Sequence, residues 1–164
     1  MSMSEREQFI HTWEREFQTT LKVLKSYPTE KADLQPHAKC PSAKELAWRI
    51  VSEEPVLVGG ALTGNFDFAN MPKSPATMAE VINTYEKSHS ELVEKVKMSS
   101  DGDFNKTVKF MVAPKTMGDV RSGDIHWMMM MDTIHHRGQF SVYLRMADAK
   151  VPSIYGPSAD EPWM

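Results

Sequence analysis

Apolar residues recur at three- and four-residue steps in four long segments of the chain, the spacing of one face of an α-helix. The first predicted helix begins at Ser4, at the start of a capping box, and stops at Pro28. The second begins at Ser42 in the same way. Proline removes a backbone donor, so we expect Pro55 to kink or break this second helix near Glu54.

The third helix is predicted to use Ser74 as its N-cap and Pro75 as its first helical position, and to end before Asp101. The fourth runs from about Ser122 to about Asp148. Between these two helices the pattern alternates briefly, which predicts an extended connection or a short hairpin. The pattern as a whole predicts one all-α domain over residues 1–164, a four-helix bundle with a long crossover and an irregular C-terminal tail.

The composition of the chain argues against several kinds of partner. The chain has 19 Lys and Arg against 22 Asp and Glu, a net charge of −3, so no basic excess favours a nucleic-acid partner. No apolar stretch is long enough for a membrane span, and the N-terminus is polar. The single cysteine, Cys40, cannot form an internal disulfide. We therefore expect a cytoplasmic protein without nucleic-acid or membrane partners.

The fourth helix carries ionisable residues within an apolar face. Asp132 and His136 are four residues apart, between Met129 and Phe140 on the same side of the helix. Buried ionisable groups need partners, so this pair either orders the core through hydrogen bonds or converges on a metal or substrate. On the second helix Arg49 and Glu53 have the same spacing, which also suits an ion pair on the surface.

Methionine is abundant, with 13 residues, and four of them are consecutive at 128–131, immediately before Asp132. Flexible thioether side chains suit adaptable packing, a dimer seam or a pliable apolar pocket.

Three segments carry a resemblance to a known family. The sequence DTIHHRGQFSVYLR at 132–145 resembles the signature of the DinB/YfiT-like superfamily, as do SAKELAWRIVSEE at 42–54 and KVPSIYGPSADE at 150–161. The resemblance implies a four-helix, usually homodimeric protein. In characterised branches it implies a divalent metal on three histidines and thiol-dependent transferase or isomerase activity.

Mapped onto this chain, the ligand positions implied by the resemblance are Arg49, Asp132 and His136, of which only His136 is a histidine. Arginine stays protonated and offers no lone pair to a cation. We therefore expect a degenerate, metal-free site in which Arg49 and Asp132 form a buried ion pair and His136 is a third member. In the alternative, Asp132, His136 and Glu53 hold a divalent metal such as Zn, Ni or Fe.

Three functions are thus expected. The first is a metal-free homodimeric protein of unproven activity, with no cofactor, that keeps a cavity for a small apolar or thiol ligand. The second is a metal-dependent thiol S-transferase, hydrolase or isomerase that uses His136, Asp132 and Glu53. The third is a non-catalytic dimeric protein of a stress response. The catalytic residues are not assigned, and the candidate site consists of Arg49, Glu53, Asp132 and His136.

Overall fold

A computed structural model describes residues 2–164 of the chain, and four long helices account for most of it. They are α1 (Glu5–Lys25), α2 (Ala43–Thr63), α3 (Met78–Met98) and α5 (Ser122–Met146). A short helix, α4 (Asp101–Asn105), and two strands, β1 (Thr107–Ala113) and β2 (Thr116–Arg121), lie between α3 and α5. The four long helices predicted from the sequence pattern are thus confirmed.

Capping boxes begin three of the long helices. The Ser4 hydroxyl accepts from the backbone of Glu7 and the Glu7 carboxylate accepts from the backbone of Ser4, and Ser42 is arranged in the same way with its own glutamate. In α3 the cap is Thr77 with Glu80, so the prediction that Ser74 and Pro75 start this helix is wrong. Thr77 has a glutamate three residues later, whereas Ser74 and Pro75 do not. The Thr77 hydroxyl accepts from the Glu80 backbone and the Glu80 carboxylate accepts from the Thr77 backbone, so two backbone donors at the start of the helix are satisfied.

Helix α2 continues through Pro55 to Thr63, so of the two outcomes expected near Glu54, a kink or a break, the break is wrong. Proline inside a helix costs about 3 kcal/mol. Burial of Val51 on one side of Pro55 and of Leu57 and Val58 on the other holds both halves of the helix against the core, which offsets that cost.

Strands β1 and β2 form a two-stranded antiparallel sheet in which Val108 pairs with Val120 and Phe110 with Gly118. The inward face of this hairpin buries Val108 and Phe110. An all-α class therefore describes the long helices but not the whole chain. The hairpin predicted as one form of the connection is confirmed, whereas α4 was not predicted.

The long helices meet pairwise: α1 and α2 each pack against both α3 and α5. Two apolar clusters fill the interior, one at each end of these helices. The first includes Leu24, Leu46 and Tyr85, and the second includes Phe9, Val58 and Met129.

Between the two clusters the helices place buried polar side chains, which we call the polar layer. Its members are Glu16 on α1, Glu54 on α2, His89 on α3, and His136 and Arg137 on α5. Each is less than one tenth exposed. The candidate site lies where this layer reaches the surface between α2 and α5.

Candidate functional site: a carboxylate and histidine trio

Neighbouring residues on α2 and α5 face opposite ways. Glu54 and Arg137 point into the polar layer, whereas Glu53 and His136 meet at its outer edge, where they are joined by Asp132. Asp132 and His136 are four residues apart on α5 and therefore lie one above the other on the same face. We call Glu53, Asp132 and His136 the trio.

The side chains of the trio converge. His136 Nε2 lies 3.3 Å from Asp132 Oδ2 and 3.9 Å from Glu53 Oε2, and one ligand atom from each residue falls within 4.8 Å of the others. Two ligands that each lie about 2.1 Å from a shared cation are about 3 to 4 Å apart. The spacing of the trio is close to what a divalent cation requires.

Gln139 determines which nitrogen of His136 faces the two carboxylates. The Gln139 amide nitrogen lies 2.9 Å from His135 Nε2, to which it donates, so its oxygen is left to accept from His136 Nδ1 at 3.2 Å. His136 Nε2 then presents its lone pair to Asp132 and Glu53. With this imidazole tautomer and with Glu53 ionised, three acceptor atoms converge without a donor between them, the arrangement that a cation, or a proton on Glu53, stabilises.

The trio is partly open to solvent, with side-chain exposures of 25% for Glu53, 43% for Asp132 and 10% for His136. Burial raises the pKa of Glu53 to about 8, together with a hydrogen bond to Asp132 and the negative charge of Asp132, while Arg49 opposes the shift. Below that pH Glu53 carries a proton in the absence of a cation, because two adjacent carboxylates do not both ionise readily.

Arg49 does not take the place that the sequence predicted. Its side chain is exposed, and the ion pairs among residues 2–164 do not include one between Arg49 and Asp132. The expected buried Arg49–Asp132 pair is therefore wrong. Arg49 lies one turn before Glu53 on α2 and acts on the site through its positive charge.

The sequence missed the inner part of the polar layer. Arg137 is 1% exposed, and its Nη2 donates to Glu16 Oε2 at 2.8 Å. It also donates to the Thr20 hydroxyl at 3.1 Å and to the Tyr155 hydroxyl of the C-terminal tail. The Tyr155 hydroxyl in turn donates to Glu16. Glu16 lies between Trp13 and Phe17 on the apolar face of α1, and this position was the one signal that could have indicated the pair.

Two further histidines, His89 and His126, are both buried. His89 Nδ1 lies 2.9 Å from Glu54 Oε1, which also accepts from Trp13 Nε1 at 2.6 Å. His126 donates to the backbone oxygen of Ser122 at 2.8 Å, and burial lowers its pKa. Both histidines belong to the interior and lie apart from the trio.

The fold and the trio define a mainly helical protein with two carboxylates and one imidazole at a solvent-open edge between α2 and α5. The sequence profile of the DinB family matches residues 1–163, so the chain belongs to the DinB family. This confirms the resemblance seen in the sequence. Within residues 2–164, no helix is both long and apolar enough to cross a membrane.

Relatives agree with this assignment. The chain is 24% identical over 159 residues to the uncharacterized protein YrdA of Bacillus subtilis (strain 168), covering 93% of this chain and 89% of that protein. A DinB-like protein from Bacillus cereus ATCC 10987 has a similar structure, with a TM-score of 0.76 and 23% identity over 90% of this chain and 95% of that one. The DinB-like protein YjoA of Bacillus subtilis has a TM-score of 0.72 and 18% identity over 88% of this chain and 96% of that one. These structures support the fold.

Proposed function

We propose that the chain is a divalent-cation-binding member of the DinB family, and that Glu53, Asp132 and His136 hold the ion. The observation that carries the proposal is the convergence of three acceptor atoms, one from each residue of the trio, within 4.8 Å. This function corresponds to the alternative considered for the sequence, in which Glu53 takes the position that Arg49 cannot fill.

The donor set fits such an ion. Two carboxylates and one imidazole suit borderline and moderately hard cations such as Zn²⁺, Fe²⁺, Ni²⁺ or Mn²⁺. Gln139 fixes the orientation of the imidazole, as the partners of metal-bound histidines commonly do. The raised pKa of Glu53 adds a cost, because this carboxyl group must lose its proton when it becomes a ligand.

A cation bound here would act as a Lewis acid and lower the pKa of a coordinated water molecule or thiol. The chain's own residues supply the rest of the site. Gln139 holds the His136 ring, Asp132 and Glu53 supply the two carboxylate ligands, and the Arg49 guanidinium places a positive charge one turn from Glu53, which favours its ionised form. A thiol-dependent transferase or isomerase activity would rest on this arrangement.

Calorimetric titration of chelator-treated protein with Zn²⁺, Mn²⁺ and Ni²⁺ tests the proposal. We expect one ion per chain for at least one of these cations, with binding lost or strongly reduced in Asp132→Asn. Gln139→Ala should weaken affinity about 10- to 100-fold, because it releases the His136 ring. Glu91→Gln changes an exposed carboxylate on α3, away from the trio, and should bind as the unaltered protein does.

A metal-free site, the function first predicted from the sequence, is the second candidate. The raised pKa of Glu53 favours it, because a proton on this carboxyl group relieves the repulsion within the trio without any metal. Failure of all three cations to bind would support this candidate and overturn the first. Binding that Asp132→Asn leaves unchanged would place the ion elsewhere and would also overturn it.

A further inference from the structure

An open groove adjoins the trio along the contact between α2 and α5. Its walls are Leu57, Met128, Met131, Asp132 and His135, and its volume is about 530 Å³. Ligand pockets for small molecules usually measure about 300 to 1,000 Å³. The size of the groove therefore suits a small molecule.

The groove and the trio share one residue, Asp132. Leu57 follows Glu53 by one turn on α2, and Met128 precedes Asp132 by one turn on α5. The apolar wall thus begins where the trio ends. A ligand held at the trio would extend directly over apolar side chains.

The two methionines of the groove are accessible to solvent. Met128 is 39% exposed and Met131 is 59% exposed. Their flexible thioether chains can fit apolar groups of different shapes, and contact with such a group would remove apolar surface from water.

We propose that this groove binds the apolar part of a small ligand whose anionic head coordinates the cation at the trio, an inference that rests on the proposed function. The ligand class is a small amphiphile with an alkyl or aryl body and a metal-binding anionic head. Leu57, Met128 and Met131 determine which bodies are accepted.

A small ligand fits this surface better than a second copy of the chain does. The groove includes the carboxylate of Asp132, whose side chain is 43% exposed, and the ring of His135. A cation held by only three protein ligands keeps open coordination positions on this solvent-open side, and an apolar protein surface seated on the groove offers no group to fill them. The anionic head of a small ligand fills such a position.

A chain-length series of alkyl hydroxamates tests the proposal. Affinities of acetohydroxamate and of its four-, six- and eight-carbon homologues would be measured by calorimetry on the Zn²⁺-loaded protein, with zinc content checked before and after. We expect affinity to rise about two- to fourfold for each added methylene group over the first few, as apolar surface is buried.

Met131→Gln keeps the length of the side chain but makes it polar, so it should flatten this dependence, and the eight-carbon homologue should lose more affinity than acetohydroxamate does. Met146→Gln is the matched control. Met146 is an exposed methionine at the far end of α5, outside the groove, and its replacement should preserve the full dependence on chain length.

The possible failures are distinguishable. Equal affinity for all chain lengths in a protein that retains zinc would overturn the groove proposal and leave the cation site intact. A protein that binds none of Zn²⁺, Mn²⁺ and Ni²⁺ would overturn the proposed function and this inference with it. A dimer in sedimentation that Met131→Gln converts to monomer would show that a second copy covers the groove, which also contradicts the inference.

Discussion

The inner part of the polar layer and the trio at its outer edge both combine carboxylates with a basic side chain, but in opposite electrostatic arrangements. In the inner part, Arg137 is paired with Glu16 at 2.8 Å and also donates to Thr20 and Tyr155. At the outer edge, two carboxylates and the lone pair of His136 face one another. The inner positive charge is built into the chain, whereas the outer edge has none between its three acceptors.

The difference separates a structural cluster from a binding site. A buried charge with its partner and hydrogen bonds in place contributes to a unique packing of the helices. Acceptors that converge at a solvent-open edge store repulsion that a proton or a cation relieves. Because His136 and Arg137 are consecutive residues, a single helical turn of α5 serves both parts.

The largest expected change in the free energy of unfolding comes from the Arg137–Glu16 pair in the inner part of the polar layer. Arg137→Met should lower the free energy of unfolding by about 3 to 5 kcal/mol, because it leaves the buried Glu16 carboxylate without its partner. Urea denaturation measures this loss. The double variant Glu16→Leu with Arg137→Met should recover part of the stability, since neither charge then remains. A loss below about 1 kcal/mol in Arg137→Met would contradict the structural role of the pair.

A smaller change in the free energy of unfolding, opposite in sign to that of Arg137→Met, is expected when Glu53 is replaced at the outer edge. The pKa of Glu53 is about 8 in the folded chain and near 4.5 in the unfolded chain, so the folded state binds more protons between these values. Stability without metal is therefore greatest below about pH 4.5 with respect to this group, and it falls as pH rises to about 8.

Glu53→Gln removes that dependence. The full shift corresponds to roughly 5 kcal/mol, and solvent screening at the partly exposed trio reduces it, so the free energy of unfolding should rise by roughly 2 to 3 kcal/mol at pH 8.5, with little change at pH 4.5. Denaturation in the presence of a chelator at both pH values measures it, with Glu91→Gln as the exposed control. Equal effects of Glu53→Gln at the two pH values would show that Glu53 does not keep its proton up to about pH 8, and would contradict its raised pKa.

The smallest effect is expected at Arg49. Its side chain is exposed and is not in an ion pair with Asp132, so Arg49→Ala should change the free energy of unfolding by less than about 0.5 kcal/mol. Thermal or urea denaturation would detect a larger change in stability than this. A loss comparable to that of Arg137→Met would restore the buried pair that the sequence suggested.

Periodicity and capping residues predicted the four long helices well, because both act locally along the chain. Ser4 and Ser42 were correctly identified as caps. The start of α3 was misplaced since Ser74 and Pro75 offer a plausible cap of their own, and only the reciprocal bonds of Thr77 and Glu80 decide between them. Continuity through Pro55 depends on tertiary packing, which the sequence pattern does not contain.

The candidate site was predicted in part. Helical spacing brought Asp132 and His136 together, and Glu53 was considered as their third partner. The choice between Glu53 and Arg49 depends on the rotation of α2 against α5, which spacing along one helix does not determine. The partners of Arg137 come from α1 and from the C-terminal tail, distant in sequence, so helical spacing along α5 does not indicate that Arg137 is buried.

Anomalous diffraction from crystals loaded with Mn²⁺ or Zn²⁺ is the most direct test of the account. We expect one strong anomalous peak per chain, with Glu53, Asp132 and His136 Nε2 as ligands at about 2.0 to 2.2 Å. Crystals of Asp132→Asn should lack this peak. A peak bound by other residues, or none in the unaltered protein under loading conditions, would contradict the assignment of the trio as a cation site.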